Sequence, residues 1–113
     1  MAWHSFLARN VKYLVFRSDG RLHKVNQDSV LYLKAFDNYC YVVTSTKAYL
    51  VPHTLKHVSN GLDSNQFIKT HRSYCVNTKH ISAVDKSSVQ VRGHEIPMSA
   101  SQKAIVLQRI KSA

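Results

Sequence analysis

The stretch FIKTHRSYCVNTKHISAV, Phe67 to Val84, decides the architecture of this chain. Its β-branched and aromatic residues fall into short runs, Phe67 to Thr70, Tyr74 to Val76 and Ile81 to Asp85, separated by polar residues that suit turns. Asn77 is placed to cap the turn Thr78 to His80, because its short side chain can accept a backbone N–H just ahead of it. Lys69, His71, Arg72, Lys79 and His80 lie in the same stretch, and no acid does. The segment therefore reads as short strands whose connections carry positive charge.

Working outward toward the N-terminus, Val11 to Arg17, Arg21 to Val25, Val30 to Phe36, Tyr39 to Ser45 and Ala48 to Val51 read as further strands. Asp19-Gly20 accepts the positive φ that a tight hairpin demands. Pro52 ends this meander, Thr54 caps a short helix Leu55 to Ser59, and Asn60-Gly61 marks its exit. Toward the C-terminus, Asp85 to Ser88 reads as a hairpin turn between Ile81 to Asp85 and Val89 to Arg92, and Gly93-His94 turns the chain into Glu95 to Pro97. The period then changes. Val106, Leu107 and Ile110 share one helical face, and Ser99 with Gln102 has capping-box spacing, so Ser99 to Lys111 is expected to be a helix. The expected fold is mostly β: an elongated antiparallel β-sheet domain with a short central helix and a C-terminal helix.

At 113 residues the chain has the length of one domain, burying roughly two thirds of its unfolded surface. Residues 11–113 are assigned to that domain and 1–10 to an N-terminal extension. A receiver module of ordinary size does not fit beside it. Sixteen Lys and Arg against six Asp and Glu give a net charge of +10, which makes a polyanion the first partner to consider. With 44% hydrophobic and only 19% charged residues, the chain is no solvated polybasic tail. Asp19, Asp28, Asp63 and Asp85 fall at turns and Asp37 begins a loop, so the acids serve backbone shape. No acid separates Asp63 from Asp85 and none follows Glu95, which leaves two acid-free basic stretches able to converge on one surface.

No apolar run is long enough to cross a bilayer, and MAWHSFLARN lacks the basic n-region of a signal peptide, so a cytoplasmic location is expected. Cys40 and Cys75 lie in strand-like segments and read as reduced, incidental thiols, the competing reading being a redox pair. The seven histidines are scattered. His53 and His57 stand four apart but lack a third ligand, so no metal and no cofactor is expected. Nor does any catalytic constellation form, because the acids are dispersed.

The central stretch resembles the LytTR DNA-binding domain family at Phe67, His71, Arg72, Ser73, Tyr74, Val76, Asn77 and Ile81. The likeness extends to VLYLKAFDNYCYV from Val30 to Val42, to Thr54-Leu55-Lys56, and to Ile96-Pro97-Met98-Ser99. It implies loops, rather than a recognition helix, inserted into successive major grooves of double-stranded DNA at direct repeats. The chain would be a small bacterial transcriptional regulator, with a homodimer on DNA and a partner protein supplying the signal. By the same resemblance Arg72 enters a groove, where its fork can satisfy a base edge and a phosphate; the competing reading is a surface arginine packing its stem. His71 reads as a hydrogen-bonded loop holder within that motif, beside Ser73.

Asn38, Tyr39 and Cys40 match the loop that the family presents to DNA, the alternatives being a plain hairpin tip and, for Tyr39, a core position. Lys56, Lys69 and Lys79 suit phosphates. Ser99, Ser101, Gln102 and Lys103 form the C-terminal contact region, in which Ala100 stands where the family often carries Arg. Without that fork a guanine contact is in doubt, and Gln102 or Lys103 is left to compensate. Lys103 is expected to lay its stem along the helix's apolar face and bring its ammonium out beside the loop. The runner-up function is a basic module that binds RNA or an acidic protein without reading DNA sequence.

Overall fold

The computed structural model describes residues 11–112, so the expected extension 1–10 lies outside the described residues. Among the described residues, ten strands and two α-helices follow one another. β1 (Tyr13–Ser18) and β2 (Arg21–Asn26) form a hairpin, and a 3₁₀ turn (Gln27–Ser29) leads into β3 (Val30–Phe36), β4 (Tyr39–Thr44) and β5 (Ala48–Val51). Helix α1 (Leu55–Ser59) precedes β6 (Phe67–His71) and β7 (Tyr74–Asn77). A second 3₁₀ turn (Thr78–His80) then leads to β8 (Ile81–Val84), β9 (Ser88–Val91), β10 (His94–Pro97) and helix α2 (Ala100–Lys111). The strands and helices expected from the sequence are present, with ends displaced by a residue or two.

Their assembly is less local than a meander. The central sheet has the order β5-β4-β3-β7-β6, flanked by a two-stranded sheet β1-β2 and a three-stranded sheet β10-β9-β8. β3 thus lies between β4 and β7, with Leu33 opposite both Val42 and Cys75. Every pairing is antiparallel.

The central sheet is covered on both faces, which explains why VLYL at the start of β3 is buried throughout instead of alternating. One face packs Leu33, Cys40, Val42 and Cys75 against Leu14 and Phe16 of the hairpin and Leu55 and Val58 of α1. The other packs Tyr32, Ile68 and Val76 against Val89, Val91 and Ile96 of the small sheet and Val106 of α2. Of the residues expected on the apolar face of α2, Val106 is buried and Ile110 packs partly against the core. Asn77 is the polar pin of this assembly. Fully buried, it donates Nδ2 to the carbonyls of Val30 at 2.9 Å and Gln27 at 3.3 Å, and its Oδ1 accepts the Lys79 N–H at 3.0 Å. The expected cap of the turn Thr78–His80 is therefore formed.

Candidate nucleic-acid interface

Antiparallel pairing brings several connections to one end of the central sheet. Phe36 pairs with Tyr39 and His71 with Tyr74, so the two hairpin tips Asp37-Asn38 and Arg72-Ser73 lie side by side, tied by the Ala35 N–H donating to the Ser73 carbonyl at 2.8 Å. Cys40 pairs with Val51, which brings the β5–α1 loop to the same end. The β10–α2 connection joins them through the Ser99 N–H, which donates to the Thr70 carbonyl at 2.8 Å.

The β6–β7 tip is built around His71. Its Nδ1 accepts the Ser73 N–H at 3.1 Å, a side-chain imitation of a backbone turn, so the imidazole shapes the loop as expected. That bond requires Nδ1 to be unprotonated. The β6–β7 ladder slips between Lys69 and His71, and Arg72 is left exposed at the tip. A cleft of about 340 Å³ opens beside it, lined by Lys69, His71, Arg72, Ser99, Ser101 and Gln102. A second of about 350 Å³ adjoins it, lined by Leu55, Lys56, Ser59, Lys69, Arg72 and Cys75. No carboxylate lines either cleft. The two acid-free stretches of the sequence do converge, with Lys69 and Arg72 common to both clefts.

Several expected contacts are corrected. Cys40 is wholly buried in the core, because the alternation that exposes Tyr39 turns the next side chain inward. It leaves the candidate interface, while Tyr39, 45% exposed, is not a core residue. Lys79 lies beyond the far end of β7, where it pairs with Asp28 at 3.0 Å, away from the loop tips. The capping box does not form. Ser99 occupies the N-cap of α2 without a side-chain cap bond, its hydroxyl lying 3.3 Å from that of Ser101. Gln102 instead donates Nε2 to the Lys69 carbonyl at 2.5 Å, locking α2 to β6. Lys103 sends its ammonium to the Lys86 carbonyl at 3.1 Å, toward the β8–β9 turn and not into the cleft.

Sequence reasoning missed Lys34, Phe36 and Lys86. Lys34 is exposed on β3 opposite Tyr74, its Nζ 6.0 Å from that ring, and Phe36 is 49% exposed at the β3–β4 tip. Alternation in β3 gives no signal for Lys34, which falls on the same face as the buried Tyr32, and only the packing of α2 against the small sheet brings Lys86 near Lys103. Burial pushes the thiols of Cys40 and Cys75 up to about 12 and about 11. Such thiols are not the thiolates that redox chemistry needs. Among the described residues no cluster of three or more His, Cys, Asp or Glu could hold a metal, and no helix is long and apolar enough to cross a membrane.

A β scaffold that gathers cations, hydroxyls and amides on adjoining turns, around two clefts that no carboxylate lines, is suited to a phosphate-bearing polymer. Residues 20–111 match the LytTr DNA-binding domain, and the chain belongs to that family. The sensory transduction protein LytR of Staphylococcus epidermidis is 31% identical over 67 residues, 59% of this chain and 27% of that protein. The transcriptional regulatory protein LytR of Staphylococcus aureus is 28% identical over 68 residues, 60% of this chain and 28% of that protein. The chain thus spans less than a third of the length of these relatives. In fold it is similar to the LytTr DNA-binding domain of a Bacillus cereus protein described as a methyl-accepting/DNA response regulator. The TM-score is 0.74 at 23% identity, covering 89% of this chain and 98% of that one.

Proposed function

We propose that this chain regulates bacterial transcription in the cytoplasm by binding double-stranded DNA sequence-specifically, with the turns at one end of its central sheet inserted into successive major grooves. The observation that carries this reading is the junction of the β6–β7 turn with the β10–α2 turn, which sets Arg72, Lys69, Ser101 and Gln102 around a cleft without an acid. Arg72 reads a base edge, since its planar fork matches the paired acceptors of guanine. Lys56 and Lys69 neutralise flanking phosphates, and His71 with Ser73 fixes the turn that aims Arg72. Asn38 and Tyr39 contact the backbone or a neighbouring base from the β3–β4 tip. Ala100 offers no fork, so Gln102 and the Ser101 hydroxyl make the polar contacts at the start of α2. Direct repeats in the target would seat two copies as a dimer on DNA.

Selection of bound sequences from a random duplex pool tests this. Enrichment of one motif, repeated at a fixed spacing, is expected. A pool that emerges unenriched while the protein still retains nucleic acid would replace the reading with a charge-driven binder of RNA or acidic protein.

A further inference from the structure

We propose that the groove between the β1–β2 hairpin and α1 is a docking site for an acidic segment of a partner protein with apolar side chains at intervals, engaged separately from DNA. The hairpin is a sheet of its own. Its inner residues Leu14 and Phe16 enter the core, and its outer face should therefore be polar if water were its only neighbour. Instead that face carries Tyr13, Val15 and Leu22, exposed by 46%, 55% and 62%. Exposed apolar side chains grouped in this way mark an interaction surface more than a solvated one.

Beside them runs a groove of about 380 Å³ whose lining includes Val15, Arg17, Leu22, His53, His57 and Val58. Leu14 lies deep in it, and the position a Gly61 Cβ would occupy is 3.1 Å from the Leu14 Cδ1, so glycine there keeps the hairpin close to α1. The polar rim is one-sided in charge. Arg17 stands across from the stacked imidazoles of His53 and His57, 4.4 Å apart, and no Asp or Glu lines the groove. On that same outer face Lys24, paired with Val15, lies 4.3 Å from the Tyr13 ring centroid, and the hairpin's one carboxylate, Asp19, sits at its tip.

Charge and polarity together select the occupant. Carboxylates answer the rim, while apolar side chains answer Val15 and Leu22. A nucleic acid backbone would leave the apolar residues unmatched. A second copy packed face to face would bring no carboxylate to Arg17 from the same groove. The chain's first ten residues offer Trp3, Phe6 and Leu7 but no acid. The surface is also separate from the loop-tip clefts, because α1 turns Lys56 and Ser59 toward those and His57 and Val58 toward this groove.

The test uses a short fluorescent peptide of alternating Leu and Glu, with a Ser/Glu peptide of equal charge as control, titrated at about 0.15 M salt to screen long-range attraction. The Leu/Glu peptide should bind roughly tenfold or more tighter than the control. Leu22→Gln and, independently, Val15→Gln should each erase most of that difference without altering charge, with duplex DNA affinity held within about twofold. Equal binding of both peptides would reduce the groove to unspecific charge and overturn the proposal. So would a loss of DNA affinity in the Gln variants, which would place the face in the nucleic-acid interface, or a dimer in sedimentation that they dissociate. A chain lacking residues 1–10 that gained peptide affinity about tenfold would identify the N-terminal segment as the occupant instead.

Discussion

Arg72 stands on a turn held on both flanks, by the His71 imidazole on the Ser73 amide and by the Ser73 carbonyl on β3. A turn so held loses little backbone freedom when Arg72 reaches a base. Arg72→Ala should cost on the order of 1 to 3 kcal/mol in discrimination at one base pair, measured as affinity for cognate against singly substituted duplexes. Lys69, a point charge on the shared wall of two clefts, should behave otherwise. Lys69→Ala is expected to weaken cognate and random duplexes alike and to lower the slope of log affinity against log salt by roughly one unit. Cys40 and Cys75 should do neither. With burial holding their thiols near 12 and 11, both should resist alkylation in the folded protein at neutral pH, react on unfolding, and leave DNA affinity unchanged under mild oxidation.

At the scale of elements, the joint between the first 3₁₀ turn, β3 and β7 depends on one buried amide. Asn77→Ala would strand the Val30 and Gln27 carbonyls and the Lys79 amide, a loss on the order of 1 to 3 kcal/mol per buried group left unpaired. A lowered Tm with unchanged strand content by circular dichroism is the expected result. Strand edges were legible beforehand because turn chemistry is local: Asp19-Gly20 takes its positive φ whatever surrounds it, and Thr54 caps α1 with its own side chain. The pairing of β3 with β7 was not, since it joins residues some forty apart and depends on which faces remain to be covered. Ser99 and Gln102 illustrate the same limit. Their spacing suited a cap, yet a carbonyl on β6 drew Gln102 away. The burial of Cys40 could have been read, because alternation from Tyr39 already turned it inward.

At the scale of the whole molecule, two of the six acids, Asp28 and Asp63, act as anchors at the end remote from the loop tips. Asp28 accepts hydrogen bonds from Lys79 and from Gln66, at 3.0 and 2.7 Å, and these hold its carboxyl below the usual aspartate range. Asp63 is held low by the Asn65 amide and by Lys12. A depressed folded-state pKa stabilises the protein fully above the unfolded value of 3.8 and ceases to do so as pH falls through the lower folded value. Thermal melts should therefore fall away in acid below about pH 4, and Asp28→Asn should blunt that decline. A midpoint that declined as steeply in the variant would mean that other carboxylates set the acid limit.

The hydrogen bonds that tie Ser73 to Ala35 and Ser99 to Thr70 have a mechanical consequence. They rivet the β6–β7 and β10–α2 turns to β3 and β6 of the central sheet, so one turn cannot yield without straining the sheet beneath it. In a complex built on such stiff supports, compliance must come from the other polymer. A duplex whose groove spacing differs from that of the turns has to bend to meet them, and its sequence-dependent flexibility then enters the affinity even at base pairs no side chain touches.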